Sequence, residues 1–276
     1  MFQRVIATAA VMAAFAGVAP VAAQDAQAEA LFDALRFADI IDIMREEGVE
    51  YGGQIGLDLF PAKVGPSWSA TVERIYDADA MQAEVKAAFV ASLEGDDVAT
   101  MATFFDSPLG RKFVDLEVSA RRALMDDAVE EASQALAAEA RKDGTARFEL
   151  VDAFVQTNDL IETNIVGALN SNYAFYSGLM AGGAFDDVLT EAQILSDVWD
   201  QEPDIRATTS EWVYSFLMLA YDPVTDEELA TYTAFSTTPA GKQLNTTLFA
   251  AFDGFFDGIS RELGYEAARM MTGAEL

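Results

Sequence analysis

The chain has 276 residues, 51% of them hydrophobic, so it can bury a core without a metal or disulfide to staple it. Its 46 acidic and 17 basic side chains give a formal charge of −29, which repels nucleic acid and anionic lipid headgroups and leaves cations, basic peptides and basic protein faces as natural partners. It holds no His and no Cys, which removes cysteine–histidine and serine–histidine nucleophilic systems and the usual ligands of zinc, copper and haem.

The first residues, Met1-Phe2-Gln3-Arg4, carry a positive charge and lead into an apolar, small-residue run over 5–22. Val21-Ala22-Ala23 before Gln24 suits signal-peptide cleavage, so residues 1–23 are expected to be a signal peptide and the mature protein to be periplasmic. The competing reading, an uncleaved anchor, is weakened by Gly17 and Pro20. No later run is apolar enough to cross a bilayer, so no transmembrane segment is expected in the mature chain. The acids are spread over the whole length, which favours solubility as their reason.

Helical spacing predicts a helix over 26–47, from Leu31, Leu35, Ala38, Ile41 and Met44, ended by Gly48. The glycine-rich stretch 49–60 reads as a weaker helix or a loop with helical turns. A helix restarts at Pro66-Ser67-Trp68 with Ser67 as cap. Asp77 caps the next, which carries Met81, Val85, Ala88, Phe89 and Leu93, and 94–96 is a turn. A short helix over 98–105 precedes a long one from Pro108 to Lys142-Asp143-Gly144. From Thr145 a helix reaches about Leu169, Asn170-Ser171-Asn172 breaks it, and 173–180 is a short aromatic segment ended by Gly182-Gly183. Helices follow over 186–200 and 205–221, with Pro203 between them. Thr225-Asp226-Glu227-Glu228 is a capping box, and the last helix runs from Pro239 to about Leu263, stopped by Gly264. No stretch alternates as a half-buried strand does, so the fold class is all-α.

The chain is organised around a motif that occurs twice. Phe104-Phe105-Asp106-Ser107-Pro108-Leu109-Gly110-Arg111 returns as Phe235-Ser236-Thr237-Thr238-Pro239-Ala240-Gly241-Lys242. Ser107 and Thr238 suit the N-cap position, and Pro108 and Pro239 suit the first helical position. Gly110 and Gly241 then allow a close approach in the first turn. Each copy marks a sharp corner between two helices, with Phe104, Phe105 and Phe235 packed into it. A phosphate loop is disfavoured, because Gln243 follows Lys242 and Ser236 stands where the loop's first glycine belongs. At a fixed offset Trp68 aligns with Trp199, Val98 with Leu229 and Thr100 with Thr231. This predicts two tandem helical-bundle repeats, 24–143 and 144–276.

At these motif residues the chain resembles the domain-of-unknown-function family 2059, in two divergent copies. Glu228-Leu229, Phe235 and Thr238-Pro239-Ala240-Gly241-Lys242 carry the resemblance in the second copy. The first, Phe104-Phe105 and Ser107-Pro108-Leu109-Gly110-Arg111, has Asp97-Val98 in place of the acidic-Leu pair. The resemblance implies an exported bacterial helical domain. It carries no activity to any residue.

Neighbouring acids, Asp39 with Asp42 and Asp127 with Glu130 or Glu131, could contribute to a Ca²⁺ site, but no Asp-x-Asp-x-Asp-Gly loop exists and chance accounts for such pairs in so acidic a chain. No acid pair stands out for glycosidase chemistry. Neither a metal nor a cofactor is expected, and no catalytic residue can be named. Tyr173, Phe175, Tyr176, Phe249, Phe252, Phe255 and Phe256 crowd two segments of the second half. They read first as core and second as a groove for an apolar ligand or a partner helix, with 173–183 as its lid. The expected role is therefore a non-catalytic exported protein that binds another protein or helps assemble one at the cell envelope. Second comes a carrier or sensor of a small apolar or cationic ligand, and last a hydrolase using carboxylates alone.

Overall fold

A computed structural model describes residues 21–93, 97–185 and 190–273. The body of the expected signal peptide and the expected turn at 94–96 lie outside them. Every regular element among the described residues is helical.

The first helical stretch is divided differently from the sequence expectation. Helices α1 (Val21–Ala34) and α2 (Phe37–Leu59) are separated at Arg36, which takes φ 55°. Its guanidinium pairs with Asp39 and Asp115, each at 2.8 Å, which holds that left-handed residue in place. Helix α2 then runs through Gly48, where a stop was expected. These glycines are a docking face for α3 (Pro66–Ile75) and the residue after it. A Cβ on Gly48, Gly52 or Gly56 would come within 2.1 Å of Tyr76, 2.6 Å of Val72 or 2.5 Å of Trp68. The Trp68 indole N–H donates to the Gly52 carbonyl at 2.8 Å. Ser67 does not cap α3; Gly65 occupies that position without a side-chain bond.

Helix α4 (Ala78–Ser92) starts at Asp77, whose carboxylate accepts from the Ala80 N–H at 2.9 Å. After α5 (Asp97–Phe105), the long helix expected from Pro108 is two, α6 (Pro108–Ala123) and α7 (Asp127–Asp143). Asp126 makes the break by accepting from the Ala128 and Val129 N–H groups as the cap of α7. Helix α8 (Ala146–Thr157) is capped by Thr145. Helix α9 (Leu160–Ala181) passes through Asn170-Ser171-Asn172 without breaking.

Helices α10 (Glu191–Trp199), α11 (Glu202–Tyr221), α12 (Asp226–Ser236) and α13 (Pro239–Thr272) complete the chain. Pro203 sits in the first turn of α11, where a proline costs no hydrogen bond, and Thr225 with Glu228 forms the expected capping box. Helix α13 does not stop at Gly264. It lies along α9, and the two backbones nearly touch: a Cβ on Gly264 would come within 2.1 Å of the Phe175 carbonyl, and one on Gly178 within 2.1 Å of the Arg261 carbonyl.

Two main clusters fill the interior. One joins Phe32, Trp68, Phe89 and Phe105 to Leu244, Phe255 and Leu263 of α13. The other joins Phe113, Phe148 and Phe154 to Leu217, Tyr221 and Leu229. Both therefore draw on each side of residue 144. No helix among the described residues is long and apolar enough to cross a membrane.

Candidate functional site

The two motif copies meet in the interior. Ser107 Oγ accepts from the Gly110 N–H at 3.0 Å, and Thr238 Oγ1 accepts from the Gly241 N–H at 3.0 Å. A Cβ on Gly110 would lie 2.2 Å from the Phe104 carbonyl oxygen, and one on Gly241 2.3 Å from that of Phe235. The equivalent phenylalanines, Phe104 and Phe235, stack on each other at 4.1 Å with planes 12° apart. Arg111 turns back to the Asp106 carbonyl. Lys112 instead reaches across to the capping-box carboxylate of Glu228 at 2.7 Å. The aligned tryptophans do not share an environment: Trp68 is 1% exposed and Trp199 68%.

Beside these corners the helices part around a partly open cavity of about 580 Å³. Its walls come from α5, α6, α8, α9, α11, α12 and α13, with Met44 of α2. The lining is mainly aromatic and aliphatic. A smaller space of about 110 Å³ adjoins it, and Glu117 of α6 lines both.

Glu117 is the chemically distinctive group. The Tyr221 hydroxyl, on a fully buried side chain, donates to Glu117 Oε1 at 2.8 Å. A looser contact from the Tyr232 hydroxyl acts in the same direction. Burial nevertheless dominates and pushes the Glu117 carboxyl up to about 7, against the two hydroxyls that favour its charged form. Burial and the facing carboxylate also push Tyr221 and Tyr232 upward. Rings enclose the group: Phe154 lies 5.5 Å from Tyr221 and 5.0 Å from Tyr232, and Phe113 lies 4.4 Å from Tyr232, between centroids.

The other polar groups of the lining are largely engaged as donors. Asn158 donates to the Phe154 carbonyl at 3.0 Å, Asn164 to the Leu160 carbonyl at 2.6 Å, and Asn245 to the Asn158 carbonyl at 3.0 Å. Ser171 donates to Asp257, and Ser236 to the Tyr232 carbonyl. Asp253 also lines the cavity, its carboxyl pushed upward by burial and then by Asp257.

The aromatic residues singled out in the sequence are distributed among several places. Phe249, Phe252 and Phe256 line the cavity. Phe255 is buried in the first cluster, where Phe175 and Tyr176 also pack. Tyr173 donates its hydroxyl to Glu191 of α10 at 2.8 Å. Asp39 is engaged by Arg36, and Glu130 accepts from Gln134. Among the described residues no group of three or more acidic side chains is arranged to hold a metal ion. Sequence reasoning missed Glu117, Tyr221 and Tyr232. One signal was available for Glu117: an acid between Phe113 and Ala120 on the apolar side of a helix.

A family described as "Uncharacterized protein conserved in bacteria (DUF2059)" matches residues 79–139. The matched segment holds one motif copy and Glu117, and the second copy lies beyond it. No curated protein and no solved structure matches the chain.

Proposed function

We propose that this is an exported, non-catalytic binding protein, a carrier or sensor that holds a small, mainly apolar molecule in the cavity beside α13. The supporting observation is the cavity itself: about 580 Å³, walled by rings and aliphatic side chains, with one partnered carboxyl set into it. Small-molecule sites span roughly 300–1,000 Å³ and have this mainly apolar character with a few placed polar groups. Export rests on the sequence pattern of residues 1–23. The matching corners support reading the motif as two divergent copies of one ancestral unit.

Partner binding at the cell envelope is the second reading. Its support is the acidic surface together with Leu195 and Trp199, 51% and 68% exposed and one turn apart on α10.

Native mass spectrometry of the mature protein, taken from the periplasm of its own host, tests the first reading. The expected result is a discrete adduct that disappears in Leu248→Trp, which fills the cavity with an indole. A bare chain in both forms overturns it and turns the search to cross-linked protein partners.

A further inference from the structure

The chemistry of the cavity wall restricts what it can hold. Among the described residues no Lys or Arg lines it, and the acids that do are Glu117 and Asp253. Each of Asn158, Asn164 and Asn245 commits one amide N–H to a backbone carbonyl, which fixes the orientation of the amide and leaves its oxygen as an acceptor and its second N–H as a neutral donor. The Ser171 and Ser236 hydroxyls are likewise used as donors within the protein, and Tyr221 donates to Glu117. The wall therefore offers acceptors, a few neutral amide donors and negative charge, with no cationic side chain among its described residues. A carboxylate, sulfonate or phosphate would find no positive partner there.

The rings add a second, independent constraint. Phe105, Phe154, Tyr221 and Tyr232 line the cavity together with Glu117. Their centroids are 5.0–6.4 Å apart where they meet, and they line the same cavity as the carboxyl from α5, α8, α11 and α12. Aromatic rings beside a carboxylate in one cavity are an arrangement that attracts an ammonium group. The formal charge of −29 on the whole chain raises the local concentration of any cation outside the cavity.

We propose that the cavity binds an apolar amine, its ammonium end against Glu117 and the Phe105, Phe154 and Tyr232 rings, its hydrocarbon body along α13 toward Phe252 and Phe256. This rests on the reading of the cavity as a ligand site, and it names the class of ligand. Glu117 binds through charge and hydrogen bonding, Tyr221 orients its carboxylate, and the phenylalanines of α13 supply the apolar contact.

Isothermal titration calorimetry of the full-length mature chain with octylamine, 1-octanol and octanoate at pH 8 tests both levels separately. Octylamine is expected to bind at least tenfold more tightly than octanol, and octanoate more weakly than either. In Glu117→Gln the preference of amine over alcohol should fall to about twofold or less, octylamine losing more affinity than octanol. Octanol or octanoate binding as tightly as octylamine, with Leu248→Trp blocking all three, overturns the amine assignment and leaves the ligand site standing. No binding of any of the three overturns both. Should Glu117→Gln fail to fold, the ranking of the three probes on the unaltered protein decides the matter alone.

Discussion

The corner at 107–110 and the corner at 238–241 share a hydroxyl cap at 3.0 Å, a proline in the first turn, and a glycine pressed onto the carbonyl of a phenylalanine. They differ in what the following helix carries inward. Glu117 stands at the same distance from Pro108 as Leu248 does from Pro239, and both line the same cavity. One copy presents a carboxyl held by two tyrosine hydroxyls, the other an aliphatic side chain. The corner fixes where the helix points, and the residue placed on it sets the chemistry. Two equivalent scaffolds thus set a carboxyl and an aliphatic side chain at matching positions of one cavity.

The strongest way to break this equivalence is at the glycines. Gly110→Ala and Gly241→Ala each place a Cβ against backbone, which cannot swing aside as a side chain could. Each is expected to cost about 3 kcal/mol of stability in urea unfolding. Gly53→Ala, which meets nothing within 4 Å, should gain about 1 kcal/mol from helix propensity. If one corner glycine accepts alanine freely while the other does not, the two corners are not the same device.

The next largest effect belongs to Glu117. Its folded-state pKa, about 7, lies above the ordinary 4.5, so the folded state holds an extra proton between those values. Stability contributed by the protonated group is present below about 4.5 and is lost as pH rises to about 7. Glu117→Gln keeps an acceptor for Tyr221 and removes that proton. The variant should therefore gain on the unaltered protein across this window, reaching roughly 3 kcal/mol by pH 8. A difference independent of pH would mean that burial does not raise the Glu117 carboxyl.

Ligand binding gives a smaller effect with the same origin. The titratable groups facing the cavity are Glu117 on α6, Tyr221 on α11, Tyr232 on α12 and Asp253 on α13, while α5, α8 and α9 bring rings, amides and a hydroxyl. Tyr221 and Tyr232 are held neutral well beyond this range. Octylamine affinity should then rise about tenfold from pH 6 to pH 8 as Glu117 loses its proton, and Glu117→Gln should flatten most of that rise. An equal rise in Glu117→Gln would show that Glu117 is not its source.

How much of this was legible depends on which physical signal each residue carried. The corners were, because a cap, a proline and a glycine act locally and leave a fixed spacing. The capping box at Thr225 and the close of α7 at Gly144 were legible for the same reason. The glycines of α2 and α13 misled, because Gly48 and Gly264 are chosen by the helices packed against them and not by the local chain. The break at Asp126 was hidden in an apolar pattern that continues across it. The cavity was only half visible: Phe252 and Phe256 stood out as ring-rich sequence, but Tyr221 and Tyr232 reach Glu117 from distant parts of the chain. Nothing in a linear reading brings those three together.

The smallest effects test whether the caps themselves are interchangeable. Ser107 accepts one backbone N–H, whereas Thr238 accepts one and also donates to the Phe235 carbonyl at 2.7 Å. Ser107→Ala should cost about 1 kcal/mol, and Thr238→Ala slightly more, up to about 2 kcal/mol, because it also removes a donor from a carbonyl at the helix end. Thr238→Ser keeps both bonds and should recover nearly all of the loss. Equal costs for the two alanine variants would show that the extra Thr238 bond contributes nothing, and that the second corner holds its helix no more firmly than the first.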